Sequence, residues 1–120
     1  MSAVAVAAFL LLAATAVPAL GEEVAALDLI RQPGSYSGRY ITVRGAIMNV
    51  QPATVGGVIP STAVIFDLVD GPAILRVLSA VRPACRIGSA VSVDGRFAPM
   101  SQFGAQVYAN VLEATVVNCR

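Results

Sequence analysis

The stretch from residue 64 to residue 77, VIFDLVDGPAILRV, constrains the fold of this chain more than any other. Two apolar runs meet at Asp70-Gly71-Pro72, a sequence suited to a tight turn. If the runs pair antiparallel about that turn, residues facing each other share one face. Phe66 and Leu68 then meet Leu75 and Val77 on the buried side, while Asp67 and Arg76 fall together on the other. Such a cross-strand pair contributes roughly 0.2–1 kcal/mol. Slipping one strand by a single residue would carry both charges inside, so the register is strongly specified. The neighbours Ile65, Val69, Ile74 and Leu78 are too apolar for a plain solvent face, which implies that something covers them.

The flanking segments read as short elements. Residues 22–32, EEVAALDLIRQ, place Val24, Leu27 and Ile30 at spacing three behind two glutamates, which predicts a short helix ended by Pro33-Gly34. GSYSG is then a turn. Residues 40–51 alternate as a half-buried strand, Ile41, Val43 and Gly45 against Thr42 and Arg44, and the blurring after Gly45 predicts a bulge there. Residues 52–62 are a Pro- and Gly-containing loop, and 79–89 a connector broken by Pro83. Ala90 to Phe97 predicts a strand with Val91, Val93, Gly95 and Phe97 inward, followed by a loop over 98–104. Ala105 to Val117 predicts a long last strand whose register slips near Leu112.

The first 21 residues contain no charge, and Ala19 and Gly21 stand at the −3 and −1 places of a cleavage site before Glu22-Glu23. This is the layout of a secretory signal peptide without a basic start. Left uncleaved, Ser2–Leu20 is long enough to cross a bilayer as an anchor. The expected organisation is residues 1–21 as the leader and 22–120 as one domain, periplasmic or secreted. Membrane association is expected only if the segment stays uncleaved. In an exported chain the two cysteines, Cys85 and Cys119, read as a disulfide. The loop it closes, about 35 residues, makes it worth roughly 3–4 kcal/mol by the chain-entropy estimate. Two reduced, buried thiols are the alternative.

Absent residue types exclude most chemistry. The chain has no His, and all eight of its basic residues are Arg. Histidine-based nucleophile activation, a zinc set, a P-loop lysine and a Schiff base are therefore missing. No catalytic residue, cofactor or metal is expected. Asp67 and Asp70 offer a carboxylate pair, but Asp70 before Gly71 belongs to the turn. Arg82 and Arg86 beside Cys85 read as solvated charge. A net charge of +1 gives little long-range attraction for phosphate polymers, and Trp, a stacking residue of single-strand binders, is absent. On these grounds the expected partner is an envelope protein, a peptide or a small ligand, and not nucleic acid. Self-association is a further way to cover the apolar outer face.

Five strands with a broken connector between the third and fourth match a five-stranded barrel of the oligonucleotide/oligosaccharide-binding (OB) type. The blocks ITVRGAIMNV, VIFDLVDG running into ILRV, IGSAVSVDGRF and VYANVLEATVV resemble the strands of anticodon-binding-type OB domains. DLIRQPGSYSGRYITVRG resembles the lead-in of small exported bacterial OB domains. The resemblance covers residues 27–117 and implies an all-β fold: a five-stranded OB barrel with a short N-terminal helix behind the signal peptide. Its implied function is an exported, non-catalytic binding module, with single-stranded nucleic acid as the alternative ligand. OB domains bind across strands 2 and 3 and the 1–2 and 4–5 loops. That surface maps here to Arg44, Ile65, Asp67, Ile74, Arg76, Gln102, Phe103 and Tyr108, with the 52–62 loop.

Overall fold

The structure is a computed structural model that describes residues 21–53, 63–103 and 106–120. Residues 1–20 of the proposed leader, the tip of the 52–62 loop over 54–62, and residues 104–105 lie outside the described residues. The elements are β1 (Glu22–Glu23), α1 (Ala26–Arg31), α2 (Pro33–Tyr36), β2 (Tyr40–Pro52), β3 (Val64–Asp70), β4 (Ala73–Ser79), β5 (Ala90–Phe103) and β6 (Gln106–Cys119). The strand order is β1-β2-β3-β4-β6-β5, and a β2–β5 pairing closes the five long strands into a barrel.

The central hairpin has the register that its pattern dictates. Phe66 faces Val77, Asp67 faces Arg76 and Leu68 faces Leu75. Asp70 faces Ala73 across Gly71-Pro72, and Gly71 takes φ 60°, where glycine carries no Cβ penalty. Phe66, Leu68, Leu75 and Val77 are buried, as are Ile41, Val43 and Ile47 of β2, Val91, Val93 and Phe97 of β5, and Leu112 of β6. Leu29 and Ala26 of α1 join the same core. The connector over 80–89 contains no helix.

Five expectations need correction. The helix predicted over 22–32 is shorter, because Glu22 and Glu23 pair in parallel with Ile41 and Thr42, and Val24 N–H donates to the Thr42 carbonyl at 2.9 Å. Those amides satisfy themselves on a strand edge rather than in a helical first turn. The first helix ends before Pro33, as expected, but Gly34, Ser35 and Tyr36 of the expected GSYSG turn belong to α2, whose Pro33 occupies the first helical position where its missing N–H costs nothing. The β2 irregularity lies between Met48 and Gln51 rather than at Gly45. Gly45 instead allows close approach, since a Cβ there would meet the Val69 carbonyl oxygen at 2.7 Å. β5 does not end at Phe97, because β6 pairs with it as far as Phe103. Finally, the β6 slip is not at Leu112. Asp94 faces Val116 and Gly95 faces Ala114, so Thr115 is the extra residue.

Cys85 and Cys119 form a disulfide with Cα atoms 5.2 Å apart. It ties the connector to the end of β6, whose last residues also run beside the start of β5.

Candidate binding groove

Asp67 and Arg76 stand on the outer face of the hairpin as a loose pair, with Arg76 Nε 3.9 Å from Asp67 Oδ1. A closer partner holds the carboxylate: Asn49 Nδ2 donates to Asp67 Oδ2 at 2.8 Å. Asn49 reaches it from the break in the β2–β3 ladder, where it takes φ 53°. Asparagine is one of the few residues beyond glycine that adopts this region readily. On its other side Arg76 Cζ lies 5.9 Å from the centroid of the Tyr108 ring, within cation–π range. Tyr108 faces Ser101 in the part of β6 that runs beyond its pairing with β4, which spans only Val111–Ala114.

Asn49, Gln51, Pro52, Ile65, Phe66, Asp67, Arg76 and Tyr108 line one open groove of about 310 Å³. A second hollow shares Asp67 and Arg76 and adds Ile30, Ile74, Ala109 and Asn110. The apolar neighbours of the charge pair are unequally covered: Ile65 is buried, Val69 and Leu78 are half-buried, and Ile74 stays 59% exposed.

The structure thus brings together Ile65, Asp67, Arg76 and Tyr108, with Ile74 in the adjoining hollow. Arg44 does not join them. It faces Ser92 of β5 across the opposite seam of β2, bonds Glu23 Oε2 through Nε at 2.7 Å, and lines a different hollow with Asp70 and Arg120. Gln102 is exposed on β5 opposite Val107. Phe103 ends β5, and its side chain lies outside the described residues. Pro52, the first residue of the expected 52–62 loop, joins the groove, whereas Asn49 and Gln51 were not expected in the site. Their signal was the blurred alternation after Gly45, which a bulge at Asn49 explains better than one at the glycine.

A second carboxylate–arginine cluster lies on the barrel between β5 and β6. Arg96 Nη2 donates to Glu113 Oε1 at 2.9 Å and Ser101 Oγ donates to Oε2 at 2.8 Å. Burial pushes the Glu113 carboxyl up, but the bonds from Arg96 and Ser101 and the charge of Arg96 outweigh it and hold its pKa below the ordinary 4.5.

Among solved structures the chain superposes on a Leishmania major Friedlin protein assigned as an aspartyl-tRNA synthetase, with TM-score 0.60 and 11% identity over 86% of this chain. The match spans 21% of that protein, about a fifth of its length. It also superposes on the telomere capping protein Ten1 from Saccharomyces pombe, with TM-score 0.53, 10% identity, and 82% of this chain against 80% of that one. The fold is an OB-fold. No protein-family profile and no curated protein sequence matches the chain. At these identities the likeness concerns the OB barrel alone. It nevertheless overturns the expectation that ranked nucleic acid behind a protein, peptide or small ligand, since the two OB neighbours are named for tRNA and for telomeres. Net charge averages the whole surface, whereas a single strand is held by local stacking and a few cations.

Proposed function

We propose that this chain is an exported bacterial OB-fold binding module, without catalysis, that takes a short stretch of single-stranded nucleic acid across the outer face of β3 and β4. The observation that carries this reading is the convergence in one groove of the Tyr108 ring, the Arg76 guanidinium over it, and the amide and carboxylate groups of Asn49, Gln51 and Asp67. In the proposal Tyr108 supplies a stacking surface, Arg76 meets a phosphate or stacks on a base, and Asn49 and Asp67 offer a donor and an acceptor to a base edge. Arg76 is the one cation among the described groove residues, so few phosphates are contacted and the salt dependence is shallow.

The test is fluorescence anisotropy of a labelled single-stranded oligonucleotide, with a duplex of the same sequence as control. Single strand should bind better than duplex, and Tyr108→Ala should weaken binding by about 1–3 kcal/mol for each base stacked on it. Absence of binding at low salt, or full affinity in Tyr108→Ala, overturns the reading. One feature favours a second reading, a peptide or small polar ligand. Asp67, with 18% of its side chain exposed, sets a negative charge at the groove centre, where a phosphate would be repelled. Binding of such a ligand, indifferent to salt and lost in Asp67→Asn, would mark that alternative.

A further inference from the structure

On the opposite side of the barrel a hollow of about 250 Å³ lies between Gly21, Glu23, Thr42, Arg44, Ser92, Asp94, Asn118 and Arg120. Register builds it from two cross-strand rows. Glu23, Thr42 and Asp94 face one another along β1, β2 and β5, and Arg44, Ser92 and Asn118 along β2, β5 and β6. Asp94 points away from the core yet is 6% exposed.

The hydrogen count in this hollow does not balance. The Thr42 hydroxyl is within reach of two acceptors, the Gly21 carbonyl at 3.2 Å and Asp94 Oδ1, but it has one proton to give. Asp94 Oδ2 has no hydrogen-bond donor among the described residues. The cations nearby do not supply one either. Arg44 is bonded to Glu23, and Arg120 lines the hollow without an ion pair to any described carboxylate. A buried carboxylate in such a place calls for a donor-rich cation.

The chain itself can generate one. Gly21 is the last residue of the segment read as a leader, and its carbonyl, 3.2 Å from Thr42 Oγ1, sets the Gly21–Glu22 peptide beside this hollow, so cleavage after Gly21 turns the Glu22 amide into an α-ammonium next to Thr42. The same cleavage removes the Gly21 carbonyl that competes for the Thr42 proton. We infer that Asp94 and Thr42 form a receptor for the new α-ammonium of Glu22, so that processing locks β1 onto β2 and β5. This inference rests on the export reading. It predicts that the ammonium donates to Asp94 and Thr42, while Glu22 and Glu23 keep Arg39 and Arg44 as their own partners.

The experiment begins with N-terminal sequencing of the protein from the exported fraction, which should read Glu-Glu-Val. Any other start overturns the processing site and this inference with it. The chain beginning at Glu22 is then melted beside a chain that retains Gly21, each with Asp94 and with Asp94→Asn. Glycine must be kept in the longer chain, because a Cβ at position 21 would collide with the Ile41 backbone. The chain beginning at Glu22 should melt several degrees higher than the longer one, and Asp94→Asn should erase the difference. Its α-amine should titrate above the usual range of about 7.7–8.0. The added stability is therefore present below that range and is lost as pH rises through the raised value. Of the groups around it, Asp94, Glu23 and the Glu22 side chain favour the charged amine, and Arg39, Arg44 and Arg120 oppose it. A correct start at Glu22 with equal melting of the two chains, a difference that survives Asp94→Asn, or an α-amine titrating in the usual range overturns the inference and leaves export standing.

Discussion

Two carboxylate–arginine clusters on this barrel use the same chemistry for different ends. Glu113 receives bonds from Arg96 and Ser101 at 2.9 and 2.8 Å, so both of its oxygens are taken by the protein. Asp67 receives one close bond, from Asn49, and faces Arg76 at 3.9 Å. Arg76 is left half-exposed above the Tyr108 ring in an open groove. A cluster that satisfies itself pins β5 to β6 and has little left for a ligand. A cluster whose arginine is loosely engaged can exchange partners at low cost. The difference separates a fastening from a candidate site without reference to residue type.

Both clusters stand on the same buried core, and opening that core has the largest expected effect. Phe66 lies under the groove and is 1% exposed. Phe66→Ala should cost about 3–5 kcal/mol in denaturant or thermal unfolding, since a buried aromatic leaves a cavity that the barrel cannot close. A loss below about 1 kcal/mol would mean that the groove floor is not part of the core. Reducing the Cys85–Cys119 bond should cost roughly 3–4 kcal/mol by the entropy of a 34-residue separation, and should leave groove binding intact in the folded fraction.

The next effect divides the clusters by function. Arg76→Ala should lower the slope of log affinity against log salt for a single strand by about 0.7 if the guanidinium holds one phosphate, with unfolding changed by less than about 1 kcal/mol, as for an exposed loose pair. Arg96→Ala should do the opposite, leaving binding unchanged and lowering stability. Equal loss of binding in both variants would erase the distinction.

The smallest effect is read from pH. Glu113 has a folded-state pKa below its unfolded value, so its contribution is present above the ordinary 4.5 and is lost as pH falls through the lower, folded value. Glu113→Gln should therefore narrow the stability gap between pH 7 and pH 3 by roughly 0.2–1 kcal/mol. An unchanged gap would show that Arg96 and Ser101 do not hold the ionised form.

Much of the barrel was legible in the chain. The hairpin register followed from alternation and one turn, because a two-residue connection leaves a single pairing that buries Phe66, Leu68, Leu75 and Val77 together. The disulfide followed from two cysteines behind a leader-like segment. Half of the groove was legible as well, since Asp67, Arg76 and Ile65 lie on one hairpin whose faces are set locally.

The rest was decided by closure. Whether the irregularity of β2 falls at Gly45 or Asn49 depends on which backbone β2 must approach. Only the barrel places the Val69 carbonyl against Gly45 and leaves Asn49 free to take positive φ and turn its amide onto Asp67. Arg44 carries a strand pattern as good as that of Arg76, but β2 pairs with β5 at Arg44 and with β3 beyond it. The residue is therefore carried to the far seam. Likewise Asp94, Thr42 and Glu23 lie far apart in the chain and meet only because β1 and β5 flank the same strand. Alternation along one strand is a local property and can be read from residue order. Which strands become neighbours, and which polar groups are left unpaired between them, is set by the long-range ladder that closes the barrel.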